Sequence, residues 1–469
     1  MQSKLEQFFV RHGYALGAIL IIASGIFGFF QNYRPFGPDD LMILSLAARP
    51  DPGGFFLESL TDFLPMYRPI TYLLIWIQYQ FTDISPAPYY IANILIFIGC
   101  AIVLYFLVYK ITASRLASIT ASLLLLVEIR AASALYWIGE RQTTLALLFG
   151  SLAILLFIRA QKNNKLTRPI AILIFVCLLF STLSKEYGLS FTATIVVISL
   201  TSSPPWKLRA SLLIAFFVVL TYFVMRFGIA QSYINADYCE NIGYRTETLR
   251  ICYNDYEPNI RKNFYLWNVG STFVGTFFPM LFTGTGQWAG FQFQNNYAAS
   301  LECPISFANG IFSILLIAFV SLSLYKFPRK SLPFLAIIIF NAILSFLLYR
   351  PRNHLMALLG LYTLLGIGIY ALWSIVKQRQ FQRILFIIIM ILLCFIISSR
   401  VIVFSQFLDE IAASYSLLEP CNSAREWHHP QIFNMDIIRQ LKINYKMSNP
   451  ECQPGGWKTW RLKSLDISK

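Results

Sequence analysis

Apolar residues in this chain gather into runs close to 20 long, divided by short polar turns, and the pattern recurs from one end to the other. An uncharged run of that length is what a helix needs to cross the hydrocarbon core of a bilayer. Spans are predicted over 14–30, 88–109, 116–133, 142–160, 169–184, 187–201, 210–227, 305–325, 331–349, 355–375 and 383–400. The first follows Lys4 and Arg11, is longer than a usual signal-peptide core and lacks a clean small-residue cleavage site, so it reads as a retained span. The expected fold class is an all-α polytopic membrane protein with about 11 transmembrane helices.

Composition agrees with that pattern. Hydrophobic residues make up 57% of the 469 positions and charged residues 13%, against roughly a quarter charged in soluble domains. A disordered chain, a collagen and a cytosolic α/β enzyme are excluded. The net charge of +15 comes from 38 basic and 23 acidic residues. It need not signal nucleic acid, which is not an expected partner, because membrane proteins concentrate Lys and Arg in cytoplasmic turns.

The sorting of that charge gives an orientation. The N-terminal tail and the turns at 110–115, 159–168, 202–209, 326–330 and 377–383 hold 16 basic residues against one acid, Glu6. All six fall on one side, which the positive-inside rule makes cytoplasmic. The N-terminus is then inside and the C-terminus outside. A bacterial inner membrane with a periplasmic outer face is the expected setting. Segment 264–283 is apolar enough to enter the membrane, but a full crossing would reverse every later basic turn. It reads as a re-entrant or interfacial helix; a true span with a missed partner is the alternative.

The expected organisation is a multi-span domain over 1–400 and a small extracytoplasmic segment over 401–469. The outer side holds 31–87, 228–304 and 401–469, with five of the eight cysteines: Cys239, Cys252, Cys303, Cys421 and Cys452. That distribution suits an oxidising compartment. Cys239 with Cys252 and Cys421 with Cys452 are the candidate bridges, leaving Cys303 odd, though spacing does not fix the pairing. No cysteine has zinc-ligand spacing with His.

Polar residues at odds with the apolar chain gather on the same outer side. Asp39 and Asp40 follow Gly-Pro where an amphipathic helix begins, a place where Asp also serves as a helix cap. Arg68 precedes Pro69, which suits a first helical turn. An Arg there can snorkel to headgroups or grip a phosphate. Glu128, Arg130, Glu140 and Arg141 bracket Tyr136 and Trp137, a pattern that interfacial anchoring also produces. Lys185 and Glu186 stand between two apolar runs with little room for a loop, and charges so nearly intramembrane are costly. Arg350, Arg352 and His354 put positive charge on the outer side, where an anionic partner would compensate it. Carboxylates pooled with Arg and Lys suit a general base working beside an anionic leaving group.

These elements resemble the GT-C glycosyltransferases, multi-span enzymes that use lipid-linked sugars. Asp39-Asp40 is similar to their acidic motif in the first outer loop. Tyr67-Arg68-Pro69-Ile70-Thr71, Tyr136-Trp137-Ile138-Gly139-Glu140-Arg141 and Ser184-Lys185-Glu186 resemble, in order, three elements of the O-mannosyltransferases that carry C-terminal TPR repeats, and of their bacterial relatives. The likeness covers residues 14–200 and extends loosely to 305–375. No TPR repeats follow residue 400, so the acceptor is not carried over.

The resemblance implies a GT-C-like bundle with outer-face juxtamembrane helices. It also implies an inverting transfer from a polyprenyl-phosphate-linked sugar to a hydroxyl on a protein, glycan or lipid. Asp39 would be the base and Asp40 its orienting partner. Arg68, Lys185, Arg141 and Arg352 would hold the donor phosphate, and Glu140, Trp137, Glu186 and His354 would line the substrate site. Some members of the superfamily place a divalent ion, Mg or Mn, on their acidic residues, so Asp39 and Asp40 are the candidate ligands. Three other classes compete: a transporter or flippase of lipid-linked or anionic substrates, an oligosaccharide ligase, and a non-catalytic assembly subunit. A transporter more often shows internal repeats and mid-span charges, neither of which is evident here.

Overall fold

The computed structural model describes residues 12–21, 23, 43, 44, 47, 68–82, 86–128, 131, 135, 138–163, 166–201, 205–229, 269, 273, 276, 277, 304–345, 354–376, 384 and 386–393. Within these the regular structure is helical. In chain order the helices are α1 (His12–Ile21), α2 (Pro69–Thr82), α3 (Pro86–Thr112), α4 (Arg115–Leu126), α5 (Arg141–Lys162) and α6 (Arg168–Ser184). They continue as α7 (Leu189–Leu200), α8 (Pro205–Phe223), α9 (Pro304–Lys326), α10 (Pro328–Leu344) and α11 (His354–Val376). Residues 386–393 are helical as well. The chain is an integral membrane protein: among the described residues four helices are long and apolar enough to cross a bilayer, namely Ala87–Thr112, Ile138–Lys162, Leu208–Arg226 and Leu355–Val376.

The helices sort by what surrounds them. In α11, 89% of the apolar stretch is buried, and it packs against α3, α4, α5, α9 and α10. In α8 only 22% is buried, and Leu212, Leu213, Phe216, Phe217 and Phe223 point outward. Lipid rather than water must cover such a face, since no soluble protein exposes a continuous row of Leu and Phe cheaply. Close packing inside depends on small residues. A Cβ on Gly368 would sit 2.3 Å from the Phe319 carbonyl oxygen, so α11 meets α9 almost backbone to backbone.

Two predicted spans come out shorter than expected. The helix predicted over 116–133 stops at Leu126, because the amides of Val127 and Glu128 fold back on Leu123 and Leu125. This places the buried Glu128 carboxylate within reach of the Tyr362 hydroxyl, which donates to it. Both α4 and α7 have 12 residues, about 18 Å of helix against a hydrocarbon core of about 30 Å.

The bundle has two chemically opposite ends. At one, Lys162 Nζ donates to the Lys110 carbonyl and Lys330 Nζ to the Ile111 carbonyl, so the turns after α3, after α5 and before α10 converge. At the other lie the described carboxylates Glu128, Glu140 and Glu186 with their partners. Of segment 264–283, residues 269, 273, 276 and 277 are described; they are helical, and Phe277 packs on the core.

Candidate functional site

The mixed-charge end is built from five pieces of chain. Arg68 immediately precedes α2, whose amides begin at Tyr72 by bonding back to the Arg68 carbonyl. Tyr89 and Asn93 lie in the first turns of α3. A 3-10 turn, Ile138–Glu140, leads into Arg141 at the start of α5. Lys185 links α6 to a second 3-10 turn, Glu186–Gly188. Finally α8 loosens into a π-helical segment, Val224–Ile229, that carries Arg226. Such π segments are uncommon and concentrate at functional sites.

Local backbone geometry separates charges that are adjacent in sequence. Lys185 is extended, with φ −159° and ψ 137°, and in an extended residue successive side chains leave on opposite sides. Gly188 lets this turn press onto α6: a Cβ there would lie 2.5 Å from the Ser181 carbonyl carbon and 2.6 Å from the Thr182 nitrogen. Lys185 therefore reaches Glu140 Oε2 at 3.3 Å and Thr143 Oγ1 at 2.7 Å. Glu186 pairs instead with Arg68 at 3.2 Å.

Glu140 is held at both oxygens. Thr143 donates to Oε2 at 2.6 Å and Gln142 to Oε1 at 2.9 Å, and the residue is 2% exposed. These hydrogen bonds offset the cost of keeping a carboxylate and an ammonium out of water. Arg141, also fully buried, donates from Nε to Asn93 Oδ1 at 2.7 Å and from Nη2 to the Tyr89 carbonyl at 3.0 Å. Its guanidinium lies 5.8 Å from the centre of the Tyr89 ring. Asn93 passes the chain of contacts on by donating to the Leu135 carbonyl at 3.1 Å.

Burial works against the charge on Glu186, but Arg68, Lys185 and Arg226 together hold its carboxyl below the ordinary value. Burial likewise opposes the charge on Arg68, which Glu186 and Glu140 more than restore. Arg226 donates to the Tyr222 hydroxyl one turn back in α8. Arg68, Arg141, Lys185 and Arg226 thus stand with two carboxylates, Glu140 and Glu186, a cationic surplus suited to a bound anion.

The structure brings Arg68, Glu140, Arg141, Lys185 and Glu186 into one neighbourhood. His354 opens α11. Asp39, Asp40, Trp137, Arg352, Cys239, Cys252, Cys303, Cys421 and Cys452 lie outside the described residues. No group of three or more His, Cys, Asp or Glu that could hold a metal occurs among the described residues. Sequence reasoning did not single out Tyr89, Asn93, Gln142, Thr143, Tyr222 or Arg226. Arg226 carried a usable signal, a lone charge inside the apolar run 210–227. The others are residue types too ordinary to stand out.

No protein-family model and no curated protein sequence matches this chain. Solved structures do match in fold. The archaeal oligosaccharyltransferase AglB from Archaeoglobus fulgidus, in complex with an inhibitory peptide and a dolichol-phosphate, aligns over 87% of this chain at 12% identity and a TM-score of 0.51. The Archaeoglobus fulgidus oligosaccharyltransferase tethered by a disulfide bond to an acceptor peptide aligns over 85% at 13% identity and a TM-score of 0.53. In both, the chain spans 56% of the neighbour's length. The fold is therefore shared, over most of this chain, with these oligosaccharyltransferase structures.

Proposed function

We propose that this protein is an inverting glycosyltransferase that moves a sugar from a polyprenyl-phosphate carrier to an acceptor hydroxyl at the outer membrane face. The observation that carries the reading is the fold shared with an oligosaccharyltransferase whose solved structure contains a dolichol-phosphate. The cationic surplus around Glu186 supports it, because the leaving group of such a transfer is a lipid phosphate.

In this reading Asp39, in the first outer loop, takes the proton from the acceptor hydroxyl as its oxygen attacks the anomeric carbon. One carbon–oxygen bond forms, and the bond to phosphate breaks with its electron pair going to the phosphate. Arg68 and Lys185, with Arg226 nearby, stabilise that charge. Arg141, turned toward Asn93 and Tyr89, positions the start of α5 and with it Glu140. Single displacement inverts the sugar.

A second reading, transfer of a preassembled glycan from a lipid pyrophosphate, is favoured by the neighbours being oligosaccharyltransferases. One experiment separates the two. Purified protein is given a labelled polyprenyl-phosphate monosaccharide or a lipid-pyrophosphate glycan, with peptide, glycan and lipid acceptors, and the product anomer is assigned by NMR. Transfer of the monosaccharide with inversion is expected. Transfer from the pyrophosphate donor alone would replace this reading with the ligase, and transfer from neither donor to any acceptor would reject both.

A further inference from the structure

The opposite end of the bundle carries a charge cluster that sugar transfer does not use. Lys162, the last residue of α5, donates from Nζ to the Lys110 carbonyl, and Lys330, in the first turn of α10, donates to the adjoining Ile111 carbonyl at 3.5 Å. Both carbonyls belong to the last turn of α3, which also bears the Lys110 side chain. Lys110 and Lys330 are each close enough to act on the charge of Lys162. Lysines from the turns after α3, after α5 and before α10 thus converge on the end of α3.

The simplest account is that lysines cap the C-terminus of α3. It explains one donor on Lys162 and one on Lys330, whereas an ammonium carries three. A helix end supplies about half a negative charge, far short of three positive ones. No carboxylate among the described residues stands at this end; Glu128, Glu140 and Glu186 are all at the other. Arg115 and Arg329, both exposed, add to the same sign.

We propose that this cluster binds the phosphate of an anionic phospholipid headgroup in the adjoining leaflet. A lipid rather than a free phosphate is indicated by the apolar side chains beside the charges. Lys330 Nζ stands 5.2 Å from the centre of the Phe327 ring, and Lys326 Nζ 5.3 Å from that of Tyr325, which is 77% exposed. An acyl chain can lie along them while its phosphate meets the lysines. The inference does not depend on the transferase reading.

The test uses the full chain in zwitterionic detergent, with lipid adducts counted by native mass spectrometry. Phosphatidylglycerol is titrated against phosphatidylcholine of the same acyl chains. The double variant Lys162→Gln, Lys330→Gln keeps an amide donor for each carbonyl but removes two charges. At about five-fold per lysine, phosphatidylglycerol affinity should fall about thirty-fold, with phosphatidylcholine unchanged. The Lys→Arg pair should retain binding. Unchanged phosphatidylglycerol affinity in the Gln pair, or equal loss in the Arg pair, would overturn the proposal. Inorganic phosphate displacing the lipid at equal concentration would overturn the lipid source. Should the Gln pair not survive purification, the wild type titrated at rising salt decides: affinity for phosphatidylglycerol that ignores salt rejects the site.

Discussion

Lys185 and Glu140, 45 residues apart in sequence, meet at 3.3 Å where each is 2% exposed, and Thr143 bonds to both. This contact joins the turn before α5 to the turn after α6. It also changes what a substitution at Lys185 reports.

Removing Lys185 alone takes the cation from a buried carboxylate, which typically costs about 3–5 kcal/mol. Lys185→Met should therefore lower the thermal midpoint in detergent sharply. Adding Glu140→Gln should recover most of the loss, since two neutral groups need no pairing. Simple additivity of the two changes would show that they do not interact. If Lys185 serves the donor phosphate, the double variant will be folded yet inactive.

The second ion pair makes a pH prediction. Glu186 has its carboxyl below the ordinary 4.5 in the folded protein, as Arg68, Lys185 and Arg226 outweigh the effect of burial. A depressed carboxyl contributes stability that is fully present above its unfolded value and is lost as pH falls through the folded one. Thermal midpoints should hold from neutral pH to about 5, then decline, and Glu186→Gln should flatten part of that decline. An identical pH profile in the variant would remove Glu186 from the account.

Gly188→Ala tests the turn that directs these charges. Its new methyl meets Ser181 and Thr182 backbone atoms at 2.5 and 2.6 Å, contacts that cannot be relieved by a side-chain rotation. The expected cost is about 1–3 kcal/mol, read as a lower thermal midpoint, with donor binding weakened because Lys185 and Glu186 shift. A wild-type midpoint would show that the turn has room to move.

Asp39 is the proposed base. Asp39→Asn keeps size and helix-capping ability, so melting should change by only ~1 kcal/mol or less. Turnover should fall about a hundred- to ten-thousand-fold. Near-normal transfer would reject the role, and loss confined to Asp40→Asn would exchange the two residues.

Orientation is open to direct measurement. A reporter fused after Lys469 should be active only outside the membrane, and one after Arg383 only inside. The reverse pattern would place the proposed site on the cytoplasmic face and withdraw the lipid-linked donor. Thiol labelling before and after reduction should reveal new reactivity at Cys421 or Cys452 if they are bridged.

Long apolar helices were legible in the sequence. The runs at 88–109, 142–160 and 355–375 fall inside α3, α5 and α11, because an apolar stretch of bilayer length has few other stable arrangements. That Lys185, Glu186, Glu140 and Arg141 would sit at helix ends was legible too, since charge is costly at mid-span. The pairings were not. Sequence adjacency invites a local Lys185–Glu186 pair, whereas the structure matches Lys185 with Glu140 and Glu186 with Arg68, 118 residues away. Such partners are decided by which helices pack together, and hydrophobic periodicity says nothing about that. Asn93 illustrates the point: it is one polar residue in an apolar helix until Arg141 is placed beside it.

The parallel helices α3 and α5 are fastened to each other at both ends, by Arg141 to Tyr89 and Asn93 at one and by Lys162 to Lys110 at the other, with Cys100 bonding to the Thr144 carbonyl between them. Between Arg141 and Lys162 runs about 32 Å of helix axis, close to the thickness of a bilayer's hydrocarbon core. Two struts riveted at both ends neither slide past one another nor shorten. In a thinner membrane the pair must lean as one body, carrying Glu140 and its partners with it, so bilayer thickness becomes a mechanical setting for the charged end.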